Sequence, residues 1–408
     1  MNSLSRVTFQ SLLGLILLSQ PFMVATNQAD EWRGNIALES RIYFEDGIAG
    51  QDSEQYSLRF EPEYNHSFEG SSSAFSFQAL FREDSMDEQR SHSDLRELSW
   101  LSYGDGWEFK IGVSKVFWGV AESQHLVDII NQTDGVENVD GEDKLGQPMA
   151  NLTLLQEWGT LDFFILPWFR ERTFAGVDGR FRAPIEVDTD NPIFESPNEN
   201  QNLDAAIRWS HTFDEWDVGV AHFSGTSREP RLVPAITEDG LVLQPMYNLI
   251  DQTSLDVQAT LDIWLWKLEV ISNRGFDTER YTAAVGGFEY SFYDLAESGI
   301  DLGVIVEYQF DERDIDIMGS PVQDKLVLGG RFAFNDEQST EILLGVSINE
   351  TAHNYLWNLE ASRRISDSWK LIVEARIISN IDESQPASSP YYSIRDDSFV
   401  MIELARYF

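Results

Sequence analysis

Trp369-Lys-Leu-Ile-Val-Glu-Ala-Arg-Ile377 alternates strictly. Trp369, Leu371, Val373, Ala375 and Ile377 share one face of an extended chain, and Lys370, Ile372, Glu374 and Arg376 share the other. A gap of only Ser366-Asp367-Ser368 separates it from another extended stretch over 354–365. The same period of two recurs at Ser254–Leu261, Ile300–Phe310 and Glu341–Ile348, and again at Phe75–Arg82, Trp107–Val113 and Leu203–Phe213. Side chains on a strand alternate between its faces, so this pattern predicts strands with one apolar and one polar face. A convincing period of 3.6 appears only at Ala121–Ile130, where a short amphipathic helix is expected.

Extended to the whole chain, this reading places strands at 33–44, 54–68, 74–84, 94–103, 107–116, 149–157, 160–170, 201–213 and 216–224. The second half continues at 250–261, 264–272, 279–293, 299–310, 323–334, 339–349, 354–365, 369–378 and 394–408. The total is about 18, with 16 as the alternative count. Every second gap is short, as at Gly104–Gly106, Trp158–Gly159, Asp214–Glu215 and Asp262–Ile263. The intervening gaps are longer, up to 117–148 and 171–200, and only 350–353 breaks the rule. A soluble sandwich has no reason to gather its long loops at one end. A transmembrane antiparallel β-barrel does, with tight turns on one side and long loops on the other. Trp107, Trp158, Trp216, Trp264 and Trp369 lie at or beside the short turns, where an interfacial girdle belongs. The expected fold class is therefore all-β.

Composition narrows the function classes. The 408 residues hold no cysteine, so disulfides, Cys-ligated metals and thiol nucleophiles are excluded. With 29 Lys+Arg against 69 Asp+Glu, the formal charge of −40 argues against a nucleic-acid partner. The 12 Trp, 13 Tyr and 26 Phe are too many for a disordered acidic chain. Residues 1–29 read as a signal peptide: Arg6, an apolar run from Leu12 to Leu18, then Ala25, Thr26 and Ala29. The barrel then occupies 30–408, and an exported chain of this kind is expected in the bacterial outer membrane.

Two segments resemble known proteins. Trp118-Gly119, followed by Asp128-x-x-Asn131-x-x-Asp134, is similar to a segment of porin-like outer-membrane barrels of Gram-negative bacteria. The chain ends Ser398-Phe-Val-Met-Ile-Glu-Leu-Ala-Arg-Tyr-Phe408, which resembles the terminal strand that barrel assembly machinery recognises, with Arg406 departing from the usual apolar residue. The first resemblance implies that 117–148 folds inward and narrows the lumen, an external loop tip being the alternative. Leu126, Val127, Ile129 and Ile130 favour the inward course, since a tip would expose them to water.

If the apolar faces meet lipid, the polar faces line the lumen. Among the acidic groups placed there are Glu61, Asp204, Asp256, Glu307 and Glu374. The basic groups include Arg59, Arg82, Arg208, Arg331 and Arg376. Charges of both signs require water, because unpaired charge in a dry core is prohibitive. The expected function is a porin-like channel for passive diffusion of small polar solutes or ions, weakly cation-preferring because acidic positions outnumber basic ones. Arg59, Arg82 and Arg208 are the residues whose proximity to the path would reverse that sign.

The competing class is an outer-membrane barrel enzyme. His222-Phe-Ser224 resembles the His-x-Ser pair of outer-membrane phospholipases, but the following Asn is missing and no third group is evident. The other histidines are scattered, and two acidic groups that could offer oxygen ligands to calcium, Asp188, Asp190, Asn191 and Glu195, and Asp134, Glu137, Asp140, Glu142 and Asp143, lack a calcium-loop spacing. Neither metal nor cofactor is expected. Outer-membrane lipid, lipopolysaccharide and the assembly machinery are the expected partners; monomer and trimer stay open, as do the solute and the pore size.

Overall fold

The computed structural model describes residues 31–238, 240–275, 280–313, 324–349, 353–381 and 390–408. The expected leader, 1–29, lies outside the described residues. The main sheet has 18 strands. They are β1 Glu31–Tyr43, β2 Glu54–Ser67, β3 Ser73–Asp84, β4 Ser93–Gly104, β5 Trp107–Ser114, β6 Gln147–Gln156, β7 Gly159–Leu166, β8 Asp204–Phe213 and β9 Trp216–Thr226. The series continues with β10 Leu249–Leu261, β11 Trp264–Arg274, β12 Tyr281–Phe292, β13 Asp301–Asp311, β14 Lys325–Ala333, β15 Glu341–Asn349, β16 Tyr355–Ser366, β17 Trp369–Ser379 and β18 Phe399–Tyr407. Each pairs antiparallel with its neighbours in sequence, and β1 closes on β18 from Asn35↔Tyr407 to Tyr43↔Phe399. The fold is a closed antiparallel barrel of 18 strands, not 16.

The tight turns follow from residues that accept left-handed backbone. Asp214 and Asp262 open two-residue turns with φ of 52° and 59°, and Gly106 closes another with φ of 73°. Short polar side chains and glycine tolerate this region, whereas a branched residue would strain it. Strand ends shift for local reasons. β7 stops at Leu166 because Pro167 has no N–H for the ladder, short of the expected 170. β18 begins at Phe399, not 394, because the Asp397 carboxylate accepts from Arg180 Nε at 2.7 Å and Phe181 N–H at 2.7 Å.

Burial is inverted relative to a soluble domain. On β1, Leu38 is 62% exposed and its neighbour Glu39 only 6%. Ile36 and Ile42 face outward with Leu38, while Asn35, Ala37, Arg41 and Tyr43 point in. The same holds around the ring, with Leu344, Trp357, Ile377 and Ile402 exposed and Glu269, Glu307 and Arg376 buried. An apolar exterior around a charged interior means the two faces meet different solvents.

Two features were not foreseen. The connection between β9 and β10 contains a hairpin, Arg231–Thr237 with Gly240–Tyr247, joined in parallel to Ile193–Phe194 as a separate three-stranded sheet. And 121–130 is not helical: it runs as bends and turns.

The inverted burial makes a direct prediction. In lipid vesicles, Leu344→Arg should lower barrel stability by ~2–4 kcal/mol, the cost of a cation on a lipid-facing strand. Ser347→Arg, three residues on and facing inward, should cost little. Denaturant titration followed by tryptophan fluorescence distinguishes them, and equal losses would contradict the assignment of faces.

Candidate functional site

The chain between β5 and β6, residues 115–146, runs through the interior, and carboxylates accept from its backbone N–H groups along its first half. Val120 and Ala121 N–H donate to Glu269 Oε1 at 2.7 and 2.8 Å, and Val127 N–H donates to Glu269 Oε2 at 3.2 Å. Glu122 and Ser123 N–H donate to the two oxygens of Glu307, each at 2.8 Å, and Ser123 Oγ adds a bond of 2.6 Å. Trp118 and Gly119 N–H both donate to Asp128 Oδ1. Of these donors only Val127 N–H would have had a partner within a helix over 121–130, since the first four N–H groups of a helix have none. Hydrogen bonds to a charged acceptor are worth about twice neutral ones, and here they hold the amides of 120–123 on the wall.

Glu122 in turn meets Lys267 at 3.3 Å and Arg331 at 2.7 Å. Burial opposes its charge, but these two cations hold its carboxyl down at about 2. His125 Nε2 bonds Glu142 Oε1 at 3.1 Å, tying the first half of the loop to the second. Against the cost of burial, Glu142 and the Glu269 carboxylate 3.9 Å away push His125 up to about 11. Gly119 is required beneath it, since a Cβ there would run into the imidazole ring.

Of the Asp-x-x-Asn-x-x-Asp residues, Asp128 and Asn131 fix backbone and Asp134 gathers side chains. Asp128 caps 118–119 as described. Asn131 accepts from Val116 N–H at 2.8 Å and donates to the carbonyls of Ser114 and Leu145, clamping the base of the loop. Asp134 accepts from Arg96 Nη2 at 2.6 Å and from Thr173 Oγ1 at 2.7 Å, and lies 3.2 Å from His92 Nε2. Despite its burial, His92 and Arg96 keep its carboxyl well below the usual range.

The far end of the loop docks on the opposite wall. Glu137 is held bidentately by Arg82 at 2.9 and 2.8 Å, and its carbonyl accepts from Arg41 and Arg90. Asp140 meets Arg376 at 3.2 Å. One loop thus reaches β11, β13 and, through Arg331, β14 on one side and β1, β3 and β17 on the other. Behind it, Trp118, Val127, Ile129 and Ile130 pack on inward residues of β6–β12, among them Phe164, Phe223, Ile250 and Ile271. Arg208 lies 5.1 Å from the centroid of Trp118.

The expected lining residues take up fixed partners. Arg208 binds Asp256 bidentately at 2.5 and 2.8 Å. Asp204 accepts from Arg228 at 2.7 Å, and Arg59 reaches Glu403 at 2.7 Å. Glu61 accepts from Asn35 Nδ2 at 2.9 Å. Glu374 pairs with Arg376 at 2.7 Å. Glu307 and Arg331 serve the loop as described. Sequence reasoning gave these roles to none of Arg90, His92, Arg96 and Glu137: Arg90, His92 and Glu137 lie in gaps and carry no periodic signal, and Arg96 lies within β4 with partners from distant segments. It also missed Arg180, which joins three outer connections by donating to Asp397 and to the carbonyls of Glu45, Asp52 and Asp396.

His222 and Ser224 are both exposed on the outer face of β9. His222 Nδ1 bonds Thr253 Oγ1 at 3.0 Å, so the base–nucleophile contact of a catalytic pair is not made. Two sets of ligand-type atoms lie within 4.8 Å of one another, His92 with Asp134 and Glu137, and Asp140 with Glu360 and Glu374. In both, the carboxylates are already paired with guanidinium groups.

The chain matches no protein-family model and no curated protein. Among solved structures it is similar to a mutant of Rh. blastica porin, at 11% identity over 93% of this chain and 100% of that one, with a TM-score of 0.46. OprB of Pseudomonas putida shares 9% identity over 93% and 94% of the two chains, with a TM-score of 0.46. OmpT, an outer membrane protein of Vibrio cholerae, shares 9% over 93% and 99%, with a TM-score of 0.48. The fold rests on the strand pairing above and not on these likenesses.

The carboxylate anchors have a measurable consequence. Replacing both Glu269 and Glu307 by Ala strands the amides of 120–123 and 127 without acceptors. A charged hydrogen bond is worth ~1.5–3 kcal/mol and ~1.4 kcal/mol is tenfold, so their exchange should rise by about tenfold or more. Mass-spectrometric hydrogen exchange should show this while the strand amides keep their protection. Unchanged exchange over 118–127 would mean that packing alone holds the loop.

Proposed function

We propose that this chain is an outer-membrane channel for the passive diffusion of small polar solutes or ions, narrowed by residues 117–148. The observation that carries the reading is the combination of an apolar exterior with a charged interior crossed by a pinned loop. Side chains alone do not fill a barrel of this size, and the charges facing inward require water. Carboxylates on that face are partly open: the Glu360 side chain is 44% exposed and that of Glu142 58%. Residues 1–29 act as the export signal in this reading. The exterior takes outer-membrane lipid and lipopolysaccharide, and the strand ending at Phe408 is the element offered to the assembly machinery.

The channel prefers cations modestly. Arg59, Arg82 and Arg208, the groups suited to reversing the sign, are each paired with carboxylates. Planar-bilayer recording tests both parts. A folded barrel that gives no conductance would sink the channel reading, and an anion-selective reversal potential at low salt would sink the preference.

The preference should also depend on pH. Burial, with Glu137 and Asp140 beside it, pushes the Asp143 carboxyl up to about 7. Below that pH the group is neutral; above it a further negative charge stands on the loop. Cation selectivity should therefore increase from pH 6 to pH 8 and stay flat in Asp143→Asn. A selectivity that falls as pH rises would contradict the assignment.

A further inference from the structure

Resting on the channel reading above, we infer that solutes cross through one eccentric opening between the loop edge and the inner faces of β14–β16, and that Glu122, Asp140, Glu142 and Glu360 make it select small organic cations bearing ammonium or guanidinium groups. Three observations converge. Around most of the ring, inward residues at the level of the loop are covered: Glu39, Ser99, Met149, Phe223, Ser254, Glu269, Ile305 and Met401 are all buried. On β15 and β16 the inward Gly345, Ser347, Leu356 and Asn358 remain partly exposed.

The second observation is room. Gly329 and Gly345 face each other across β14 and β15, and Asn358 is opposite Gly345 on the next strand. Neither glycine has a positive φ. A Cβ at Gly345 would touch nothing nearer than Leu328 O at 3.6 Å, so packing does not demand glycine there. Its absence of a side chain leaves space in the lumen.

The third observation is how the charges are layered. On the loop side, the side chains of Glu122, Asp140 and Glu142 are 24%, 25% and 58% exposed, and Glu360 on β16, within 4.8 Å of Asp140, is 44% exposed. Each cation that partners them is less exposed than its carboxylate: Lys267 at 8% and Arg331 at 17% for Glu122, Arg376 at 2% for Asp140 and Glu360, and His125 at 23% for Glu142. A solute at this level meets carboxylate oxygens first. Two of those carboxylates, Asp140 and Glu360, share the single nitrogen Arg376 Nη2 with the buried Glu374, which leaves the group with excess negative charge. A narrow, partly enclosed acidic edge concentrates cations.

The native absence of cysteine makes the test direct. Single variants Ser347→Cys, Asn358→Cys and Ser254→Cys are reconstituted in bilayers and treated with methanethiosulfonate reagents carrying trimethylammonium or sulfonate. The first two should react and lose about half or more of their conductance. The cationic reagent should act about tenfold faster at low salt. Ser254→Cys, buried behind the loop, should be unaffected. Glu142→Gln combined with Glu360→Gln should bring the two reagent rates together, while Glu108→Gln near the short turns should not. Gly345→Phe should lower conductance in a barrel that still shows full strand content. Block through Ser254→Cys with none through Asn358→Cys would move the path elsewhere and overturn the inference, and equal rates for the two reagents would overturn the cation class. Absence of conductance in the unmodified protein would instead overturn the channel reading itself, and labelling read by mass spectrometry would still locate the open wall.

Discussion

A sheet has two edges unless its first strand meets its last, and this molecule is organised by that meeting. The ladder from Asn35↔Tyr407 to Tyr43↔Phe399 pairs β1 with β18 and leaves the main sheet no unpaired edge. Closure divides space into an inside and an outside, so the two faces of every strand acquire different surroundings. An alternating sequence can then be apolar where a soluble domain would be polar. The tight approach at the seam depends on Gly34, whose missing Cβ admits the Glu61 carbonyl and the Phe408 ring. Phe408 N–H donates back to Gly34 O at 3.1 Å, so the last residue is part of the closure.

Once the interior is a polar enclosure, it dictates the conformation of what enters it. The first half of the inner loop carries spacing suited to a helix and enough apolar residues to stripe one face. Inside the barrel it meets Glu269 and Glu307, which are almost fully buried and acceptor-only. Each carboxylate needs donors, and the backbone amides of 120–123 and 127 supply them. Two requirements are met at once, the desolvated anions and the orphan amides. The wall thus selects the loop conformation, and the apolar residues intended for a helix face pack on β6–β12 instead.

This division explains what the sequence disclosed. The strands were legible because period two and the alternation of short and long connections are local signals repeated around the ring. All 18 were placed with small errors at their ends, the two largest of which trace to Pro167 and to the engagement of Asp397. Asp128, Asn131 and Asp134 were legible as residues, yet their partners Arg96 and Thr173 come from distant segments and have no local signature. The 121–130 helix failed because tertiary acceptors overrode a periodic pattern. The hairpin at Arg231–Thr237 and Gly240–Tyr247 escaped because it belongs to a small outer sheet and not to the ring.

The electrostatic sign of the lumen follows from pairing rather than from counting. A guanidinium held by a carboxylate within 3 Å acts at a distance as a dipole, and its field fades within a Debye length of about 8–10 Å at moderate salt. Arg82 lies between Glu39 and Glu137, and Arg208 is fully engaged by Asp256. Converging arginines on the β1–β3 wall therefore stabilise the docked end of the loop and contribute little to the field beyond it. With 69 acidic residues against 29 Lys+Arg, carboxylates remain after every cation is matched. Those that remain either take backbone N–H donors, as Glu269 and Glu307 do, or face water, because burying a carboxylate with neither cation nor donor is far more costly. Acidic surplus at the solvent-facing edge is thus the outcome expected when a barrel commits its arginines to holding its own loop in place.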